Sequence, residues 1–434
     1  MIREPLRHPR QLAWLAIVPV LAACETPPSQ ATLPECDPDN GGLTLPPGFC
    51  ALVVSESHGR SRHIDVAGNG DVVVALPNTR GQDREVVPGG IAVLRDVDGD
   101  GRADETHRWG ENGGNEVLLA NEYLYFATDD AVLRYPFPAG SVFPPGPPDT
   151  LVGALPNEAS HRAKSLALGA DGTLFVNIGS PSNSCQEQSR ESGAAGMDPC
   201  PQLTTRAGIW AFEAEVKGQT QADGVRFATG LRNTVALATH PSGQLYGVVH
   251  GRDQLSILWS EYFTHQESAE KPAEEFVQIS EGDNFGWPYC YYDPASDTKV
   301  LAPEYGGDGV SVGRCAEMKD PLIDFPAHWA PNDLEFYAGT QFPEKYRGGA
   351  FIAFHGSWNR APEPQGGYNV VFAPFRGDSP SGTWEVFADG FAGGDMSPNG
   401  AEHRPVGLAV DPDGSLFISD SQVGNMWKIT YVGD

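Results

Sequence analysis

Six times along this chain an alternating apolar run meets a turn, and a second alternating run leaves it. The sharpest copy is Gly407–Asp420, GLAVDPDGSLFISD. Three more follow the same plan: Ser165–Ser180 (SLALGADGTLFVNIGS), Ala236–Val249 (ALATHPSGQLYGVV) and His63–Leu76 (HIDVAGNGDVVVAL). Two looser copies are Glu116–Asp129 (EVLLANEYLYFATD) and Phe336–His355, whose second run is GGAFIAFH. Period-two alternation predicts strands with one buried face. The predicted turns are Gly68–Gly70, Asp171-Gly172, Ser242-Gly243 and Asp413-Gly414, each pair supplying the positive φ angles of a tight hairpin. A lone hairpin cannot bury its faces, so the copies must stack. Radial stacking of four-stranded units leaves only short edges. The expectation is an all-β, six-bladed β-propeller over residues 49–434, with the two chain ends meeting in one blade.

The 434 residues could hold two or three domains, but the repeats run nearly end to end and favour one. Residues 1–23 read as a signal peptide: Arg3, Arg7 and Arg10 precede an apolar Leu12–Ala23 too short to span a membrane stably. Leu21-Ala22-Ala23-Cys24 resembles a bacterial lipoprotein signal, which implies lipidation at Cys24 and a tether over residues 24–48. That places the protein in the bacterial cell envelope, lipid-anchored, facing the periplasm or on the outer membrane. An ordinary secretory signal is the alternative, and either way the mature chain leaves the cytoplasm. The net charge of −28 argues against nucleic acid as a partner and suits a solvated acidic surface. Six cysteines remain after Cys24, an even number in an oxidising compartment. Of the fifteen or so possible connectivities, proximity favours Cys36–Cys50, Cys185–Cys200 and Cys290–Cys315.

Four other stretches stand out. Asp96, Asp98, Asp100 and Asp104, with Gly101, imitate a calcium loop, but His107 stands where its bidentate Glu belongs; an Asp/Gly-rich turn between blades is the plainer reading. Pro136–Pro148 reads as a linker between blades. Ser182–Arg206 is a long polar insertion carrying two cysteines, and Leu258–Glu275 has helix-forming composition.

In a propeller the start of each innermost strand faces the central channel, so chemistry is sought just before each repeat. Ser160-His161-Arg162 offers an imidazole able to take a hydroxyl proton near neutrality. Arg232 and Asn233 precede the next repeat and offer a planar fork of donors and an amide. His250-Gly251-Arg252-Asp253 leaves that blade's second strand and could hold a hard cation through Asp253 or nearby carbonyls. His355, Asn359, Arg360, His403 and Arg404 gather cations that suggest an anionic ligand. Gly282–Pro288, GDNFGWP, suits either a flat ring or packing between blades.

The order GLRN, HGRD, GDNFGWPYCYYD, HGSWNR and RPVGLAVDPDG resembles the pyrroloquinoline quinone (PQQ)-dependent glucose and sorbosone dehydrogenases, most closely the sorbosone dehydrogenase-like branch, over about residues 50–431. The resemblance implies a six-bladed propeller that oxidises a sugar hydroxyl by hydride transfer to PQQ, a planar tricarboxylate. It implies His161 as general base and Arg232 with Asn233 against the quinone oxygens. His355 stands near a cofactor-binding lysine of the family, and Arg360 and Arg404 would bind PQQ carboxylates. Calcium would be held by Gly251 and Arg252 through their carbonyls and by Asp253. The partners are then a small sugar and an electron acceptor that the resemblance leaves unnamed. Two other classes compete: a calcium-dependent lactonase, which needs an axial Glu/Asn/Asp metal cage, and a non-catalytic binding propeller.

Overall fold

The computed structural model describes Met1 and residues 35–80, 85–158 and 160–433. The rest of the expected signal peptide, and Cys24, lie outside the described residues. Six sheets carry the fold, antiparallel but for a short parallel pairing of Val152 and Gly153 with Gln219 and Thr220. Five expected repeats form the first two strands of one sheet each, and the sixth, Phe336–His355, begins late because its first strand is Pro331–Phe336. Blade I is Ile64–Val66, Val72–Leu76, Gly90–Arg95 and Glu105–Trp109. Blade II begins at Gly114–Ala120, blade III at Leu166–Leu168, blade IV at Ala236–Thr239 and blade V at Pro331–Phe336. Blade VI joins Pro405–Val410, Leu416–Asp420 and Met426–Tyr431 to Phe49–Ser55 from the other end of the chain, in register from Phe49–Tyr431 to Ser55–Met426. The chain ends therefore close the ring in one blade.

The turns differ in detail from expectation. Gly70, Gly172, Gly243 and Gly414 take φ of +87° to +90°, while the residue before each keeps a negative φ. In each turn the glycine N–H bonds the carbonyl three residues back, and that same residue pairs across the hairpin. This is the three-residue loop closed by a left-handed glycine, which needs only one positive φ.

Burial also exceeds the one-faced strand that alternation suggests. Val72–Leu76 is buried throughout. Val73 and Ala75 pack against Leu124 and Phe126 of blade II, while Val74 and Leu76 face Phe417 and Met426 of blade VI. Each such side chain contributes roughly 1.5–3 kcal/mol on burial. Equivalent cores join every neighbouring pair of blades around the ring.

The long insertions lie within blades, not between them. The Asp96–Asp104 loop joins the third and fourth strands of blade I, and Pro136–Pro148 does the same in blade II. In the first, Asp96 accepts from Gly99 and Gly101 N–H, and Asp104 from Val97 and Asp98 N–H, so the carboxylates serve the turn. The 182–206 and 250–273 insertions follow the second strands of blades III and IV, and the latter holds the helices Leu255–Leu258 and His265–Glu270. The three cysteine pairs form as proximity suggested. Residues 35–48, assigned to the tether, belong to the propeller: Leu43 is buried and Thr44 bridges Asp389. Among the described residues no helix is long and apolar enough to cross a membrane.

Candidate active site

The first strands of all six blades line an axial channel, and at one end their preceding segments enclose a cavity of about 460 Å³. His161, Arg232, Asn233, Gly251, Asp253, His355 and Arg404 all line it, drawn from four blades. The rule that polar groups before each repeat face the channel thus holds. It also points to Arg62, directly ahead of blade I, which sequence reading passed over.

His161 has a left-handed backbone, φ +53°. Such a residue costs on the order of 1–3 kcal/mol and persists where its surroundings hold it. Here Nδ1 lies 2.8 Å from the Ser180 carbonyl and 3.0 Å from Ser180 Oγ. A carbonyl only accepts, so Nδ1 carries the proton and Nε2 keeps its lone pair, with no hydrogen bond among the described residues. Burial, then Arg232, lower the imidazole pKa to about 3, so it is neutral at physiological pH. Gly179 makes this placement possible. A Cβ there would sit 2.6 Å from His161 Cβ and from its carbonyl, and 2.8 Å from Asn233 Oδ1.

Arg232 is buried and fixed by Asn183, with Nε 3.3 Å from its carbonyl and Nη2 3.1 Å from Oδ1. Nη2 also reaches Asp253 Oδ2 at 3.0 Å. Arg190 bonds the same oxygen at 2.6 Å, and Asn359 donates to Asp253 Oδ1 at 2.8 Å. Burial alone would raise this carboxyl; Arg232, His328 and Arg190 override it and hold Asp253 well below the usual range. Asp253 therefore accepts three side-chain bonds, two of them from guanidinium groups on Oδ2, and Oδ1 keeps one acceptor direction beside Asn359. The Gly251 and Arg252 carbonyls accept no hydrogen bond among the described residues. Below them Glu274 accepts Gly251 N–H at 2.8 Å, and burial pushes its carboxyl up to about 8.

The Arg252 side chain turns from the cavity into a buried pair with Glu304, which leaves its carbonyl, the expected donor, for a cation. One expected site residue stands elsewhere. Arg360 is spent on backbone carbonyls, of Pro364 at 2.8 Å, Ala327 at 3.0 Å and Ala269. Phe285 and Trp287 of the glycine-rich loop are buried in packing, which decides between the two readings of that loop. His355 and Arg404 remain in the cavity wall. Arg404 Nε and Nη2 grip the carbonyls of His355 and Gly356 at 2.9 and 2.8 Å. His355 Nε2 lies 2.5 Å from Ser421 Oγ.

The arrangement is a cavity walled by Arg62, Arg232 and Arg404 and by four histidines kept neutral by burial, of which His161 presents a free Nε2 lone pair held in place through Ser180. Residues 43–432 match one protein family. The chain belongs to the TrAA12-like family. Among curated relatives it is 27% identical over 268 residues to a PQQ-dependent pyranose dehydrogenase of Coprinopsis cinerea, covering 52% of this chain and 35% of that protein. Matches to the curated relatives span from 35% to 50% of their length. In three dimensions the TrAA12-like chain resembles the holo PQQ domain of the Coprinopsis cinerea pyranose dehydrogenase, with TM-score 0.70 and 20% identity over 89% of this chain and 97% of that one. It resembles equally a calcium structure of a Trichoderma reesei AA12 enzyme, with TM-score 0.71 and 19% identity over 90% and 97%. At these identities the likeness establishes the six-bladed fold.

Proposed function

We propose that this TrAA12-like protein is a PQQ-dependent dehydrogenase that oxidises a sugar hydroxyl. One observation carries the reading: His161 Nδ1–H is tied to Ser180, which leaves Nε2 as a lone-pair base inside a cavity rich in arginine. The residues present fit the cofactor. Asn233 Oδ1 and His250 Nε2 are buried polar atoms with no partner among the described residues, and Arg62, Arg232 and Arg404 supply charge for a tricarboxylate. When bound, PQQ supplies a quinone that accepts a hydride.

The chain's own part is positioning and proton transfer. Arg232, held by Asn183 and Asp253, stabilises negative charge on an oxygen facing it. Arg62, with Nε 2.8 Å from Asn115 Oδ1, and Arg404 stand ahead of the neighbouring blades I and VI and orient an anionic ligand from that side of the cavity. His161 Nε2 takes the proton of the substrate hydroxyl, and Nδ1–H to Ser180 keeps the tautomer fixed as it does so. For calcium the donors are the Gly251 and Arg252 carbonyls and the remaining acceptor direction of Asp253 Oδ1. Calcium takes about six to eight oxygens, so cofactor and water would supply most of them.

The Leu21–Cys24 sequence and the three disulfides support a lipid-anchored protein on the outer side of the cytoplasmic membrane. The lactonase reading needs an axial Glu/Asn/Asp metal cage, but the axial carboxylates Glu116 and Asp333 flank His63 instead, at 2.6 and 3.8 Å. The test is dye-coupled turnover of a panel of pyranoses after reconstitution with PQQ and calcium. Turnover that depends on His161 is expected; a protein that binds PQQ but oxidises no sugar would refute the assignment.

A further inference from the structure

The inner cavity adjoins a larger cleft of about 730 Å³, which shares Arg62, His355 and Arg404 with it. Arg60, Arg80 and Arg108 also line this cleft, and among the described residues no Asp or Glu does. In a chain of net charge −28 that is a local reversal of sign. Elsewhere many arginines are matched to carboxylates, as Arg95 to Asp71, Arg134 to Glu215 and Arg252 to Glu304, while Arg226, Arg347 and Arg360 bond carbonyls at separate places. Among the described residues, none of the five cleft arginines has a carboxylate within 4.0 Å.

Three of the five are held by neutral groups instead. Arg62 bonds the Asn115 amide oxygen, Arg404 two backbone carbonyls, and Arg108 the His58 carbonyl. Such bonds fix a guanidinium without cancelling its charge, so several forks face one space with no carboxylate paired to them. Asp129 and Asp420 act on the Arg62 and Arg404 guanidinium groups only from beyond contact. Asn78, Ser61, Ser421 and Gln422 between them add groups that can bond hydroxyls. Arg62 and Arg404 also line the inner cavity and would serve the cofactor's carboxylates there. Arg60, Arg80 and Arg108 remain for a second anion.

We propose that Arg60, Arg80 and Arg108 form an anion subsite for the substrate, and that the sugar is an acidic pyranose bearing a carboxylate or phosphate. This rests on the dehydrogenase reading above. The oxidised carbinol loses its C–H hydrogen as hydride to the quinone and its O–H proton to His161 Nε2. The sugar leaves as a ketone or lactone, and two electrons pass on to an added dye acceptor.

The test is calorimetric titration of the PQQ-loaded protein with glucuronate, glucose 6-phosphate and glucose. At low salt at least one acidic sugar should bind about tenfold or more tightly than glucose, and the two acidic probes separate carboxylate from phosphate. The advantage should shrink as salt screens it. Arg80→Gln or Arg108→Gln should each weaken the acidic sugar about threefold, and the triple variant with Arg60→Gln about tenfold or more. PQQ affinity should stay constant in all of them. The proposal is overturned if acidic and neutral sugars bind alike. It is equally overturned if the triple variant loses PQQ as strongly as sugar, because the arginines would then serve the cofactor. The readout is heat, not turnover, so the two readings fail separately. Acidic sugar bound through these arginines without oxidation sinks the dehydrogenase, whereas oxidation with no acidic preference sinks the subsite.

Discussion

Gly179→Ala probes the placement of His161 without touching its chemistry. Gly179 follows the strand Thr173–Ile178 and its φ is not left-handed, so alanine suits the backbone. The new methyl would lie 2.6 Å from His161 Cβ and carbonyl oxygen and 2.8 Å from Asn233 Oδ1. Ordinary contacts begin near 3.4 Å, so the loop carrying His161 must retreat by most of an ångström. A misplacement of about 1 Å costs on the order of 10²-fold. Losing a positioned base altogether costs roughly 10²–10⁴-fold. Gly179→Ala should therefore lower kcat about 10²-fold, with KM and PQQ affinity nearly unchanged. Combining it with His161→Ala should cost no more than His161→Ala alone, because both remove one function. Dye-coupled turnover, PQQ titration and thermal unfolding on the same preparations separate the effects. A folded, PQQ-binding Gly179→Ala enzyme with wild-type kcat would refute the argument that this glycine seats the base.

Three further outcomes follow from buried charge and from the N-terminus. Glu304→Ala leaves Arg252, whose side chain is 3% exposed, without its partner, so urea unfolding should show a loss of about 3–5 kcal/mol; under 1 kcal/mol would contradict a buried pair. On the axis, burial pushes Asp65 up to about 7, so its native state is favoured at low pH and loses stability as pH rises between about 4 and 7. Burial would lower His63, but Asp333 and Glu116 more than offset it and hold it at about 9. Its contribution is complete below about 6.5 and is lost as pH rises through 9. The Tm should therefore fall from pH 6 to pH 10, and His63→Gln should flatten the upper part of that fall; a Tm that climbs across this range would contradict both assignments. Cys24→Ser should leave unprocessed precursor without lipid label, whereas normal processing and location would remove the lipid anchor.

The inner hairpins were legible because turn chemistry and alternation coincide at Gly70, Gly172, Gly243 and Gly414. The outer strands were not. Glu274–Ile279 and Ile323–Phe325 find their partners only after insertions that carry no period of their own. The site divided in the same way. His161, Arg232 and Asn233 precede repeats, so the geometry of a first strand aims them inward. Arg62 obeys the same rule and needed no further information. Arg360 did not yield, because adjacency to a cavity residue does not say which way the next side chain turns. The Arg252 side chain is claimed by Glu304, 52 residues later, which leaves only its carbonyl toward a cation. The partners of Asp253 were equally hidden, because Arg190 and Asn359 lie 63 and 106 residues away in sequence. Pairing at such distances is decided by the fold alone.

The central claim is that the arginine-walled cavity holds PQQ with His161 as the base. Its most direct measurement is a single anaerobic turnover. PQQ-loaded protein is mixed with excess sugar from the panel, and loss of quinone absorbance is followed in time. The wild type should bind PQQ and reduce it in one rapid, stoichiometric phase, and His161→Ala should bind PQQ equally but react about 10²–10⁴-fold more slowly. Failure of the wild type to bind PQQ, or reduction by His161→Ala at the wild-type rate, would contradict the account.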